Sequence, residues 1–597
     1  MNASHIALRR SATLPLRAVA RRQWPRFASS SASPEPRRRG GNFVAFAGVF
    51  GLAAACAYYY PILQSQFSTE PEPVEKQRPK AELKFEKARQ QALSKEDNRD
   101  LLSSQHLQVK KSWENPGVYA WGSNLGKVID PDSKEKYIKL PRRIPFFDNQ
   151  LLRDLSLTQE FGAAITEKGD LVQWGVGFSK TDPRPATTLR GKDLSKIVVS
   201  ADRILALSRS GNVYSLPASQ EDLQNGLKSE QQKSSWSIWS SSGKEAVSFR
   251  NVTPSGLGWG ERVTDISSGL EHCLFVTSKG RVFSAASSAT SFPSRGQLGI
   301  PGLTWDTRPS GPYDQPHEVS ALSGFNIQQV AAGDMHSVVL DKLGRVFAFG
   351  DNTFGQLGYD NDSPVPQLDS PTMIAINKLY LGSGLVPRAT SIAAGGVNTF
   401  FTVDAEDPKA VADKSVAPAR RQPRLVSDVW AAGQGTYGGL GNGKWTHVSS
   451  GPSKVKALSG LSEFDEKRNT NTPIKIKQLS AGTTHTAAVM SNITKTSASG
   501  ASNANETNWG ADVLFWGGNE YFQLGTGKRS NMNTPTYIGP LDGGDGDADK
   551  GRAGEMHRLC ITPRQTARLG KDGKGRKVSL EQKVECGRFV SGVYSAV

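Results

Sequence analysis

Residues 328–358, QQVAAGDMHSVVLDKLGRVFAFGDNTFGQLG, constrain the fold more than any other part of the chain. Val330, Ala332 and Gly333 lead into His336, and the run Ser337 to Leu340 is apolar and β-branched enough for a strand. Asp341 to Gly344 is a turn, Val346 to Gly350 a second strand, and Gly355 to Gly358 a glycine-rich corner, GQLG. Two short strands with two glycine-dependent turns cannot bury an apolar face alone. Such a unit is normally found in multiples.

The copies are present. VFAFG at 346–350 has counterparts VYAWG at 118–122, LVQWG at 171–175, VYSLP at 213–217, VFSAA at 282–286, VWAAG at 429–433 and VLFWG at 513–517. The A-G-x-x-H lead recurs around His272, His336, Asn398 and His485, with weaker forms placing Phe161, Arg203 and Val590 at the histidine position. Corners recur at 296–299, 355–358, 438–441 and 522–525. The order of the halves carries more information than their number. The chain opens on a lone second strand (Val118 to Gly122) and closes on a lone first strand (Val584 to Val597), with full units between. A linear array gains nothing from that split, whereas a ring is fastened by it and keeps no open sheet edge. The expectation is an all-β, seven-bladed β-propeller over 113–597.

The succession A-G-x-x-H, G-x-V-[FY]-x-[WF]-G and G-Q-L-G resembles the repeat of the regulator of chromosome condensation family, and that resemblance implies a seven-bladed propeller. In this reading Gly333, His336, Gly350, Gly355, Gly358, His272, His485, Trp121, Trp174 and Trp516 are structural repeat positions.

The formal charge of +17 over 597 residues is unevenly placed. Residues 1–42 hold nine arginines, no lysine and one acid, Glu35, and read as a mitochondrial presequence. Residues 113–597 keep only +7, so the charge points to targeting rather than to nucleic acid. Phe43 to Leu63 carries no charge and ends on Tyr58 to Tyr60, which suits a single transmembrane helix; a buried helix is the alternative. Arg37 to Arg39 precede it and Glu70, Glu72 and Glu75 follow. By the positive-inside rule the propeller then faces the intermembrane space. Residues 64–112 read as a Pro/Glu-rich linker followed by a charged, solvated helix.

Catalytic chemistry is not expected. The histidines of separate units could suggest a metal ring, but Phe161, Arg203, Asn398 and Val590 occupy the same place elsewhere. Each imidazole is better read as bonding a neighbouring blade's backbone. Cys56, Cys273, Cys560 and Cys586 show no C-x-x-C spacing, so no zinc site is expected. A Cys560–Cys586 disulfide would require an intermembrane-space address. No phosphate-binding loop, nucleophile elbow or H-E-x-x-H motif occurs, and no cofactor is expected. The family's light-sensing G-W-R-H-T pentapeptide is absent, and no ubiquitin-ligase domain is expected with the propeller running to the last residue. Trp236 and Trp239, in the polar loop SSWSIWSSS, either anchor a partner or a lipid surface, or pack back on their own blade.

The chain is similar to fungal mitochondrial membrane proteins carrying this repeat. That similarity implies a non-enzymatic scaffold in the inner membrane, binding respiratory-chain subunits or assembly factors and assisting cytochrome bc1 complex assembly. The alternative is guanine-nucleotide exchange on a small GTPase, the activity of the family's founding member.

Overall fold

The computed structural model describes residues 104–597 apart from 227–246, 289, 360–364, 408–424, 466–469, 493–494, 498–505, 509, 543–557 and 572–573. The presequence 1–42, the span Phe43 to Leu63, most of the linker, and Trp236 and Trp239 lie outside the described residues. Among the described residues no helix is long and apolar enough to cross a membrane.

The unit around His336 shows why the fold forms. It has four antiparallel strands, Ile327–Ala332, His336–Asp341, Val346–Asp351 and Gln367–Met373. Val330 pairs with Val339, Val338 with Ala348, and Ala348 with Thr372. The middle two strands are buried along their whole length, because a blade is covered on both faces by its neighbours. Such strands read as continuous apolar runs rather than alternating ones. Each buried Val, Leu or Phe contributes roughly 1.5–3 kcal/mol. The stretch leading into His336 is thus itself an inner strand, and a solvent-side outer strand, Gln367–Met373, follows the GQLG corner.

Five sheets of four or five strands stand as separate blades. Seven separate blades were expected, and here the structure differs. The units expected first and second share one nine-stranded sheet. The join is narrow: Leu152 pairs in parallel with Ala596, and the Val597 N–H donates to the Leu152 carbonyl at 3.0 Å. The last strand of the chain therefore reaches across and welds two modules. The same strand closes the ring. Val590–Ala596 lies between Lys577–Cys586 and Val118–Ser123, with Val118 opposite Tyr594 and Gly122 opposite Val590.

Six of the seven inner strands carry a register shift near their start, as between Ile327 and Gln329 or Leu152 and Asp154, and Lys577–Cys586 pairs without one. Bulges there increase twist and turn each inner strand along the channel.

The two faces of the ring are distinct. On the histidine face, backbone bonds pass from turn to turn: Ala201 to Leu270, Leu270 to Asp334 and Asp334 to Gly396. On the opposite face Leu194 donates to Gly169, Ile327 to Gly280 and Ala389 to Gly344. Helix Ser104–Glu114 enters on that opposite face, ahead of Val118. It is docked on the propeller, whereas the charged helix expected over 80–107 lies, but for its last residues, outside the described residues. Gln108 Nε2 donates to the Arg558 carbonyl at 3.0 Å, the Ser112 hydroxyl meets that of Thr562, and the Gly570 N–H donates to the Trp113 carbonyl.

Candidate functional site

The repeat positions form rings of contacts between successive units. His272, His336 and His485 are essentially fully buried. His272 Nε2 lies 2.9 Å from Ser337 Oγ, His336 Nε2 2.8 Å from Thr399 Oγ1, and His485 Nε2 2.6 Å from Ser591 Oγ. The partner is the following unit's hydroxyl, not its backbone as expected. Ser337 Oγ in turn donates to the Gln297 carbonyl and Ser591 Oγ to the Gln523 carbonyl. With those hydroxyl protons committed, His272 and His485 must donate from Nε2. Their Nδ1 atoms, like that of His336, are buried without a hydrogen-bond partner. Protonating Nδ1 would place a charge in a dry wall, so burial pushes His272 and His485 down to about 3 and His336 to about 4. The glycine three residues before the histidine makes room for the ring: a Cβ on Gly333 would sit 2.1 Å from His336 Cε1.

The second-strand aromatics form another ring. Trp121 Nε1 donates to the Gln523 carbonyl at 2.9 Å, Trp174 Nε1 to Val128 at 2.7 Å and Trp516 Nε1 to Gly439 at 2.9 Å. Gln523 and Gly439 belong to the corners of the preceding units, and the last glycine of each corner lies against the indole. A Cβ on Gly441 would sit 2.7 Å from Trp516 Nε1, and one on Gly525 2.7 Å from Trp121 Nε1. Gly358 faces the small Ala432 instead, at 3.5 Å. Gly355 and Gly350 meet backbone: a Cβ on Gly355 would overlap the Ser449 carbonyl, and Gly350, at φ +107°, abuts the Met335 carbonyl.

The sequence reading missed a third ring. The residue just after four of the six bulges reaches the next inner strand. Asp154 Oδ2 accepts from the Ile197 N–H at 2.8 Å, Lys196 bonds Asp265, Gln329 makes two bonds to Ile392, and Gln478 Nε2 donates to the Val584 carbonyl. The available signal was a polar residue four places before each inner-strand turn.

These rings surround a central channel of about 620 Å³, walled by the six inner strands and Glu585 to Phe589. Burial raises the carboxyls of Asp154 and Asp334, and burial with the nearby Asp154 raises Glu585 well above the usual range. The Tyr594 hydroxyl donates to Asp154 Oδ1 at 3.2 Å. Cys273, Cys560 and Cys586 are buried free thiols, so Cys560 and Cys586 are not paired here. Burial pushes all three thiols up, away from reactivity. Among the described residues no three His, Cys, Asp or Glu side chains converge on a metal position.

The regulator of chromosome condensation repeat model matches residues 294–340, 344–401 and 427–489, and a second form of it residues 327–356. The chain is 27% identical over 459 residues to Protein FMP25, mitochondrial, of Saccharomyces cerevisiae, covering 72% of this chain and 67% of that protein. It is 26% identical over 271 residues to Protein pim1 of Schizosaccharomyces pombe, 41% of this chain and 46% of that one. The crystal structure of Prp20p from Saccharomyces cerevisiae, described with its binding to Gsp1p and histones, aligns with a TM-score of 0.50 at 16% identity. That alignment covers 84% of this chain and 94% of Prp20p, and shows a shared fold. The chain thus spans two thirds of one curated relative and less than half of the next. Residues 294–489 of this chain thus carry regulator of chromosome condensation repeats, set in a propeller of the same fold as Prp20p.

Proposed function

We propose that the chain is a non-enzymatic protein-interaction scaffold of the mitochondrial inner membrane that assists assembly of a respiratory-chain complex, the cytochrome bc1 complex by resemblance. The observation that carries this reading is a rigid closed ring with long loops on its rim and no convergent reactive groups among the described residues. The relation to a yeast protein named as mitochondrial supports the address. Residues 1–42 act as presequence, 43–63 as the single membrane span, 64–112 as linker and charged helix, and 113–597 as the propeller. Counting the nine-stranded sheet as one five-stranded and one four-stranded module gives seven units. The propeller faces the intermembrane space, and Trp236 and Trp239 contact a partner.

Nucleotide exchange on a small GTPase is the other reading. Prp20p is described as binding Gsp1p, but at 16% identity no exchange residue can be carried across. The test is a deletion strain, examined for assembled cytochrome bc1 complex by native electrophoresis. Assembly intermediates in place of mature complex are expected. A full complement of mature complexes refutes the assembly role.

A further inference from the structure

Two places before its turn, each inner strand carries one recurring position. Six units fill it with Ser156, Val198, Ser267, Ala331, Ala393 and Ser480, all small or apolar and uncharged. Two of the hydroxyls reach across and accept a backbone N–H of the next inner strand, Ser267 Oγ from Ala332 at 2.9 Å and Ser480 Oγ from Cys586 at 2.8 Å. The seventh unit has Glu585. That carboxyl stands at the one junction where the last inner strand, Lys577–Cys586, meets the first, Leu152–Leu157. Contact there is close. The Arg588 N–H donates to the Leu157 carbonyl at 3.3 Å, and a Cβ on Gly587 would overlap that same carbonyl.

A second carboxyl lies on the other side of the junction. Asp154 ties three strands together, accepting from the Tyr594 hydroxyl at 3.2 Å and from the Ile197 N–H at 2.8 Å. Glu585 shares the channel wall with it, and among the described residues no donor reaches the Glu585 carboxyl. The bases around the pair are committed elsewhere. Lys196 is bonded to Asp265, Lys583 and Lys477 lie 3.8 Å and 2.9 Å from Glu581, and Arg588 acts on Asp334. Burial raises both carboxyls, the charge of Asp154 raises Glu585 further, and Lys196 offsets only part of this. Tyr594 and Cys586, packed against the pair, are raised by burial as well and stay neutral.

We propose that Asp154 and Glu585 make closure of the ring proton-sensitive, firm while the pair keeps its protons and loosened as they leave. Two carboxylates in one dry wall repel, and these two sit on the first and last inner strands of the ring. Opening the junction hydrates both groups and returns them to ordinary acidity, so opening releases protons. Closure is therefore fully favoured below the ordinary carboxyl range and weakens as pH rises towards the raised folded values. Within that window each proton released multiplies the open fraction about tenfold per pH unit. This is a property of the ring itself and stands whatever the ring holds.

Hydrogen exchange of the full chain, followed by mass spectrometry between about pH 6 and 8, reads the effect. Exchange at Val590–Ala596 is divided by exchange at Asn398–Glu406, a strand of another blade, so that the common base catalysis cancels. In the wild type the ratio should climb by at least about tenfold per pH unit. Glu585→Gln, which keeps the shape without the charge, should take about tenfold per unit off that slope. Glu585→Ser carries the side chain of three sister units and should do the same, which keeps the test decisive if the glutamine variant fails to fold. A wild-type ratio that stays flat overturns the proposal. So does an equal slope in wild type and in either folded variant, the result expected if Glu585 only fills space.

Discussion

Replacing His336 with glutamine isolates the contribution of one buried imidazole to stability. The folded-state value is about 4, against an unfolded value near 6.5. The folded group is depressed, so above pH 6.5 both states are neutral and no penalty exists. As pH falls through 6.5, the unfolded chain takes up a proton that the folded chain refuses, and stability drops until pH nears 4. Between pH 7.5 and 5.5 the linkage gives about 1.3 kcal/mol lost for this one residue. His272 and His485, depressed further, lose a similar amount each, roughly 4 kcal/mol for the three together. Asp154, Asp334 and Glu585 work the other way, since their raised values add stability as pH falls. The wild-type slope mixes both signs, but those carboxyls are common to wild type and variant and cancel in the difference. Glutamine keeps a donor near the Nε2 position facing Thr399 and does not titrate. Urea unfolding at the two pH values should therefore show the variant losing about 1.3 kcal/mol less than wild type. Equal losses would mean that this imidazole titrates alike folded and unfolded, and the account of the buried Nδ1 would be wrong.

Other substitutions test the remaining contacts. Gly441→Ala and Gly358→Ala share nearly the same φ, +66° and +68°, but only the first meets an indole, at 2.7 Å against 3.5 Å from Ala432. Thermal unfolding should show Gly441→Ala worse by about 1–3 kcal/mol, and equal effects would discount the indole contact. Ser591→Ala removes the hydroxyl between His485 and Gln523 at the ring seam and should cost about 1–3 kcal/mol in urea unfolding; a neutral result would show the relay carries no stability. Cys273, Cys560 and Cys586 should resist Ellman's reagent in the native chain and react on denaturation. Rapid native labelling of any of them would contradict their burial.

What could be read from the sequence was whatever close approach between units dictates. Gly441 and Gly525 must be glycine because an indole lies on them, and Gly333 because an imidazole does. Such positions recur as motifs. Outer strands were invisible because Gln367–Met373 keeps one side in water and needs no fixed residues, while Arg250–Asn251 has only two. The hydroxyl partner of each histidine was legible but unread. Ser337, Thr399 and Ser591 each follow the histidine position of the unit after His272, His336 and His485. Where the preceding unit has Phe161, Arg203 or Val590, the same place holds Ile204, Cys273 or Gly162. Histidine and hydroxyl vary together at six of the seven positions, the exception being Asn398, whose following unit holds Thr486. The fusion of two units through Leu152 and Ala596 rests on the last residues of the chain meeting a strand more than four hundred residues away, and no local pattern announces it.

The seam also sets how the molecule bears load. A pull on the chain ahead of residue 104 arrives first at the helix clamped to Arg558, Thr562 and Gly570, three points on one connection. Only when that clamp yields does tension reach Val118–Ser123, held by five pairs with Val590–Ala596. Pairs loaded in shear must fail together, whereas pairs peeled from one end fail in turn. Joining Val118–Ser123 and Val590–Ala596 in one blade thus puts the helix clamp and the ring's latch in series, so that a load entering through the helix meets the clamp before it meets the ring.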